Sequence, residues 1–195
     1  MIENEEQLKA AVDQTSDLLQ QIHYYVKANP RSESKGKIRF PRGFLRTNAE
    51  ARKSFQFVEN KILRSNISYA IMTHDVLRWI VTRTDLSGQA KEMVMKEGIC
   101  VMASVCECLT IHPNEYGLGR GSSFAKRVAK LHSRGIIKDK TKTDLLWLWD
   151  KRRQEHLYEV EFPEYSHYTT ADWNQSIRAY KGLRDGLRGW LLPDE

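Results

Sequence analysis

Gly98-Ile99-Cys100-Val101-Met102-Ala103-Ser104-Val105-Cys106-Glu107-Cys108-Leu109 is the stretch whose reading decides the fold. Wound into a helix, it places apolar side chains on nearly every face, so it predicts a helix buried all round, not along one stripe. Met93 and Met95 extend the pattern upstream, and the turn Thr84-Asp85-Leu86-Ser87-Gly88 supplies Ser87 as a cap, giving a central helix over 88–111. Glu107 is the exception in this run. A carboxylate in such surroundings needs a partner, because burying it unpaired is costly.

The rest of the chain offers the helices that a buried helix requires. Leu8, Val12, Leu19, Ile22 and Val26 recur at helical spacing over 4–28, with Pro30 just beyond. Residues 48–83 read as one long helical stretch, kinked or straight, capped by Asn48, with Phe55, Val58, Ile62, Ile67, Ile71, Val76 and Ile80 on its apolar face. His74 and Asp75 fall inside it. Neighbours on a helix point apart, so they are expected to meet other helices or solvent, not to act as a catalytic pair. A short basic helix over 123–134 ends at Gly135, and Leu145 to Trp149 anchor a helix over 141–158. Thr170 caps a final helix lined by Trp173, Ile177, Tyr180, Leu183 and Leu187. No alternating strand pattern or internal repeat appears. The expected fold class is all-α, a bundle of about five or six helices.

Composition narrows the function classes. The 195 residues suffice for one hydrophobic core, and 31 Lys and Arg against 25 Asp and Glu leave a net charge of +6. Positive charge is concentrated over 31–53 and 120–142. Such clusters attract polyanions, although they also suit a solvated helical surface. Arg39, Arg42 and Arg46, in a Pro- and Gly-broken arm with Phe40 and Phe44, and Lys126 and Lys130 on the basic helix are the candidate nucleic-acid contacts. In the arm, the two Phe residues suit stacking on bases or plugging the core. Cys100, Cys106 and Cys108 lie in one apolar helix without Cys-x-x-Cys or His-x-x-x-His spacing, so neither a disulfide framework nor a zinc site is expected. The Gly-rich loop 112–123 lacks the Gly-Lys-Ser/Thr end of a P-loop and reads as a connector. With no apolar run long enough to span a bilayer and an acidic start, the expectation is a cytoplasmic protein with no membrane contact.

One segment has the residue types for chemistry. Asp150-Lys151-Arg152-Arg153-Gln154-Glu155-His156 sets Arg152 four residues and Arg153 three residues before His156, both same-face spacings on a helix. An Arg fork holds phosphate, and a His moves a proton near neutral pH. Metal-independent RNA cleavage needs that combination: a group to deprotonate the ribose 2′-hydroxyl or protonate the leaving oxygen, and a cation at the charged phosphorus centre. The same spacing also suits surface cations and a His facing the end of a helix dipole.

The run Lys130-Leu131-His132-Ser133-Arg134-Gly135-Ile136-Ile137, followed by Asp144-Leu145-Leu146 through Trp149 to Arg152-Arg153-Gln154-Glu155-His156, resembles the HEPN (higher eukaryotes and prokaryotes nucleotide-binding) superfamily. That family has a short helix, a Gly-Ile-Ile-type turn and a helix ending in an Arg…His motif. Ala103 to Leu109 is similar to its central helix, which often carries a Glu. The likeness covers 88–190, and 1–85 more loosely. It implies a single HEPN-like helical domain over 1–195, with 1–85 as N-terminal helices and basic arm and 88–190 as the core. It also implies a homodimer. In active members two such motifs meet across the dimer and cleave RNA without metal, often in toxin–antitoxin or antiphage systems. The implied partners are therefore RNA, a second copy and a protein such as an antitoxin, with no cofactor. By the same resemblance Arg152 and His156 are the catalytic pair, supported by Lys151, Arg153 and Glu107. The family motif usually has four to six residues between Arg and His. Here Arg152 leaves three and the four-residue gap falls on Lys151, which offers a point charge but no fork. The alternatives are a catalytically inactive HEPN-like module binding RNA, a nucleotide or a protein partner, and a helical scaffold without a nucleic-acid role.

Overall fold

Burying a helix on all sides takes neighbours on all sides, and the chain supplies them from both ends. The computed structural model describes residues 1–41, 43–113, 121–154 and 167–192. They form seven α-helices and one short 3₁₀ helix, with no strand among the described residues. The architecture is all-α, as the sequence pattern predicts, with a helix count close to the expected five or six. The chain divides into two compact units, 1–42 and 43–195.

The first unit holds α1 (Glu5–Ala28) and the 3₁₀ helix Pro30–Lys35. The Asn4 side chain caps α1 by accepting from the Gln7 amide at 2.9 Å. The 3₁₀ helix turns back on α1 closely enough that a Cβ at Gly36 would lie 2.7 Å from Val26. No residue of α1 is buried, and Leu8, Val12, Leu19 and Ile22 of its apolar stripe are exposed.

The second unit holds α2 (Asn48–Lys53), α3 (Lys61–Arg83), α4 (Gly88–Ile111), α5 (Phe124–Ser133), α6 (Asp139–Arg153) and α7 (Thr170–Leu191). Helix α4 is the centre, packed by α3, α5, α6 and α7. Its Ile99, Met102, Val105, Cys106 and Leu109 are almost wholly buried, as expected of a helix apolar all round.

Three local expectations need correcting. The stretch 48–83 is two helices, not one. Phe55, Phe57 and Val58 are all buried in the link between them, a turn that ends where Asn60 caps the next helix. Asn60 then starts α3, its side chain accepting from the amides of Ile62 and Leu63 at 3.0 Å each. The caps of α2 and α7 fall one residue earlier than expected, on Thr47 and Thr169. There each forms a reciprocal box with the acid three residues on, Glu50 and Asp172. Helix α6 runs Asp139–Arg153 with Gln154 as its C-cap, starting two residues before the expected 141, and 155–158 of the expected helix lie outside the described residues. The break after α5 follows the sequence: Gly135 has φ 70°, and the Ile136 amide reaches the Leu131 carbonyl at 3.0 Å.

Two contacts fix how α3 and α7 meet α4. A Cβ at Gly98 would collide with the Trp173 ring, so the absence of a side chain lets α7 lie against α4. Trp173 also stacks on His74 of α3, with ring centroids 4.7 Å apart and an interplanar angle of 22°. His74 is 4% exposed, and burial pushes its pKa down to about 4.

Gly98→Ala is expected to destabilise the protein by about 1–3 kcal/mol through overpacking. Gly189→Ala, in the exposed and unobstructed last turns of α7, is expected to stabilise it by about 0.5–1 kcal/mol. Urea titrations of the two variants should therefore move in opposite directions. The depressed His74 pKa means the unfolded chain binds the extra proton first. Stability is then full above about pH 6.5 and falls between pH 6.5 and 4, by about 3 kcal/mol from this residue. His74→Phe keeps the stack on Trp173 and should flatten that part of the stability–pH curve.

Candidate functional site at the end of α6

Arg152 lies in the last turn of α6 and Glu107 in the second half of α4, and the packing of these two helices brings them together. Arg152 Nη1 donates to Glu107 Oε2 at 2.8 Å, with both side chains 29% exposed. The requirement that Glu107 find a partner is thus met, by a residue 45 positions away. The Arg152 guanidinium also lies 5.0 Å above the ring of Trp149, which stacks on Phe124 of α5 at 4.7 Å and 14°. The cation is therefore held by a charge on one side and an aromatic column on another. Arg152 Nε is buried with no hydrogen-bond partner among the described residues.

A second guanidinium stands nearby. Arg127 of α5 is 4% exposed, donating through Nε to Thr110 Oγ1 at 3.0 Å and through Nη1 to the Ser122 carbonyl. Burial pulls its pKa down, while the negative charge of Glu107 acts the other way. Sequence reading placed Arg127 only in a basic cluster. Its helical register with Phe124, Val128 and Leu131, three to four residues apart on one apolar stripe, was the signal that it points inward. The thiols beside this site are poor nucleophiles: burial pushes both Cys106 and Cys108 up, with Glu107 adding to the effect at Cys108.

The other expected residues are distributed as follows. Lys151 is engaged elsewhere, donating to the His167 carbonyl at 2.9 Å and lying 5.1 Å from the centre of the Tyr168 ring. Tyr168 donates to Gln154 Oε1 at 3.3 Å, so the start of the chain before α7 is tied to the end of α6. Arg153 is exposed, as are Lys126 and Lys130 on α5. Arg39 is exposed in the first unit. Arg46 is not at this site: its Nε and Nη2 donate to the two oxygens of Asp75 on α3 at 2.7 and 2.6 Å. His156 and Arg42 lie outside the described residues, as does most of the Gly-rich loop, 114–120. Among the described residues no group of three or more His, Cys, Asp or Glu side chains is placed to hold a metal ion, and no helix is long and apolar enough to cross a membrane.

No family model matches the chain, and neither a curated protein nor a solved structure is significantly similar to it.

A double-mutant cycle on Glu107→Gln and Arg152→Gln is expected to give a stability coupling of about 1 kcal/mol, the upper end for partly exposed pairs. A coupling indistinguishable from zero would show that the pair contributes geometry only.

Proposed function

We propose that the protein is a HEPN-like, metal-independent endoribonuclease in which Arg152 and His156 act on the scissile phosphate. The observation that carries this reading is the pairing of Arg152 with Glu107. The resemblance names both residues from separate segments, and the packing of α6 on α4 puts them 2.8 Å apart. Glu107 occupies Nη1 and makes no bond to Nε, the donor through which a guanidinium grips phosphate side-on. Glu107 and the Trp149 ring thus act as positioning groups for Arg152.

In the proposed reaction His156 takes the proton of the ribose 2′-hydroxyl. The 2′-oxygen bonds to phosphorus as the bond from phosphorus to the 5′-oxygen breaks, and that oxygen receives a proton from the second His of the dimer. Arg152 stabilises the charge on the phosphorus centre. The products are a 2′,3′-cyclic phosphate and a 5′-hydroxyl. The dimer, an antitoxin-like partner and a role in toxin–antitoxin or antiphage systems belong to the same proposal.

A second reading, an inactive HEPN-like module binding RNA, a nucleotide or a protein, is favoured by the commitment of Lys151 to His167 and Tyr168, since the cation at the four-residue gap is engaged within the fold.

Labelled RNA incubated with EDTA separates the two. The expected result is cleavage by the wild type, loss of about 100-fold or more in His156→Ala and Arg152→Ala with the helical content unchanged, and no cleavage of a substrate with 2′-deoxyribose at the scissile position. Equal cleavage by wild type and His156→Ala would overturn the catalytic reading. RNA binding without cleavage, abolished by charge reversal at Lys126 and Lys130 and not by His156→Ala, would establish the binding module.

A further inference from the structure

A cavity of about 390 Å³ opens between α3, α4 and α7, away from the pairing of Arg152 with Glu107. Its floor is polar and almost sealed: His74, Asp75 and Tyr180 are 4%, 0% and 5% exposed. Around it stand four cations, Arg46, Arg78, Lys181 and Arg184. Among the described residues, two carboxylates answer them. Asp75 takes the fork of Arg46 and lies 3.7 Å from Arg78, and Asp185 takes Nε and Nη2 of Arg184 at 2.8 and 2.7 Å. Four positive charges against two negative ones leave an excess of two.

The excess is built into the fold. Asp75 fixes Arg46, the Phe44 ring lies 4.8 Å from the Arg78 guanidinium, and the Tyr180 ring lies 5.4 Å from that of Arg184. Like charges held at one rim repel, and an anion between them relieves the repulsion. Two buried nitrogens here also lack partners among the described residues, His74 Nε2 and Arg78 Nε. Buried polar atoms are nearly always hydrogen-bonded, so unpartnered ones on residues that line a cavity fit an absent group there. His74 is a neutral imidazole above about pH 5, and in its Nε2–H tautomer it donates to an anion. The remaining walls include Ile71, Met102 and Ile177, an apolar surface for an organic body. The volume lies at the small end for ligand pockets, which suits a molecule of one or two rings.

We propose that this cavity binds a small phosphate monoester, its dianionic phosphate held among Arg78, Lys181 and Arg184 with His74 beneath it and its body against the apolar wall. The charge excess equals that of the dianion, whereas a monocarboxylate would leave one cation unanswered. The site is independent of the nuclease reading, because it shares none of Glu107, Arg127, Arg152 or His156.

Ribose 5-phosphate, inorganic phosphate and ribose, titrated into the full chain at constant ionic strength, test it by calorimetry and by the NMR signals of the His74 and Tyr180 rings. Ribose 5-phosphate is expected to bind most tightly and ribose not at all, with both ring signals shifting at saturation. Lys181→Glu changes an exposed residue and should leave the thermal midpoint in place while weakening ribose 5-phosphate about 10-fold or more, as loss of a charge-assisted contact does. His74→Phe, which preserves the stack on Trp173, should weaken it too. No heat and no ring shifts at millimolar ligand, or affinities unchanged in both variants, would overturn the proposal. Ribose binding as well as its phosphate would also overturn it.

Discussion

The contact of the Trp173 ring with the bare backbone at Gly98 is the constraint on which the second unit depends. It sets the distance between α4 and α7, and the same ring stacks on His74, which sets the distance to α3. A side chain at 98 would displace Trp173, and with it the stack that holds His74 in the interior. The polar floor of the α3–α7 cavity and the burial of α4 therefore share one origin. Interiors packed at crystal-like density transmit such shifts and do not absorb them.

With the helices fixed at those distances, charges that the sequence scatters become neighbours. Asp75 is wholly buried beside His74, and it stays ionised because Arg46 grips both its oxygens and Arg78 adds a second positive charge. Together they hold its carboxyl below the usual range against the upward push of burial. Glu107 stands similarly among cations, bonded to Arg152 and near enough to Arg127 to act on its titration. In each case a carboxylate on a core helix orients an Arg from elsewhere in the chain. The desolvation of such a carboxylate is tolerable only with the partner in place.

The helices were legible in the sequence because most carry a periodic apolar face, and α4 was legible because its second half is apolar almost all round. What misled was chemistry at element ends. Thr47 and Thr169, not Asn48 and Thr170, are the caps, since only from those positions does an acid fall three residues on. The link 54–60 looked helical because Phe55 and Val58 keep a spacing of three, while the burial of Phe57 between them is a tertiary fact. The candidate site was legible as a demand, that Glu107 needs a cation, but the identity of that cation was not. Glu107 and Arg152 are 45 residues apart, and Arg46 and Asp75 are 29 apart. Local pattern is blind at those separations. Arg46 shows the consequence: it reads as part of a nucleic-acid-binding arm, and it is an internal brace.

The comparison of Arg46 with Arg152 shows why burial and charge alone do not identify a working guanidinium. Both are half-buried and both pair with a carboxylate. Asp75, wholly buried, takes Nε and Nη2 of Arg46 with one oxygen each, so that fork is closed and Arg46 braces α3. Glu107 takes Nη1 of Arg152 and leaves Nε without a partner among the described residues. The first arrangement is complete, whereas the second holds a cation in place with an unmatched donor. An orphan donor on an oriented cation recurs at Arg78 in the α3–α7 cavity. A buried donor left unmatched needs a physical reason, and a bound anion is the one proposed at each place. The same physical argument therefore underlies both proposals, one beside the proposed catalytic segment and one remote from it.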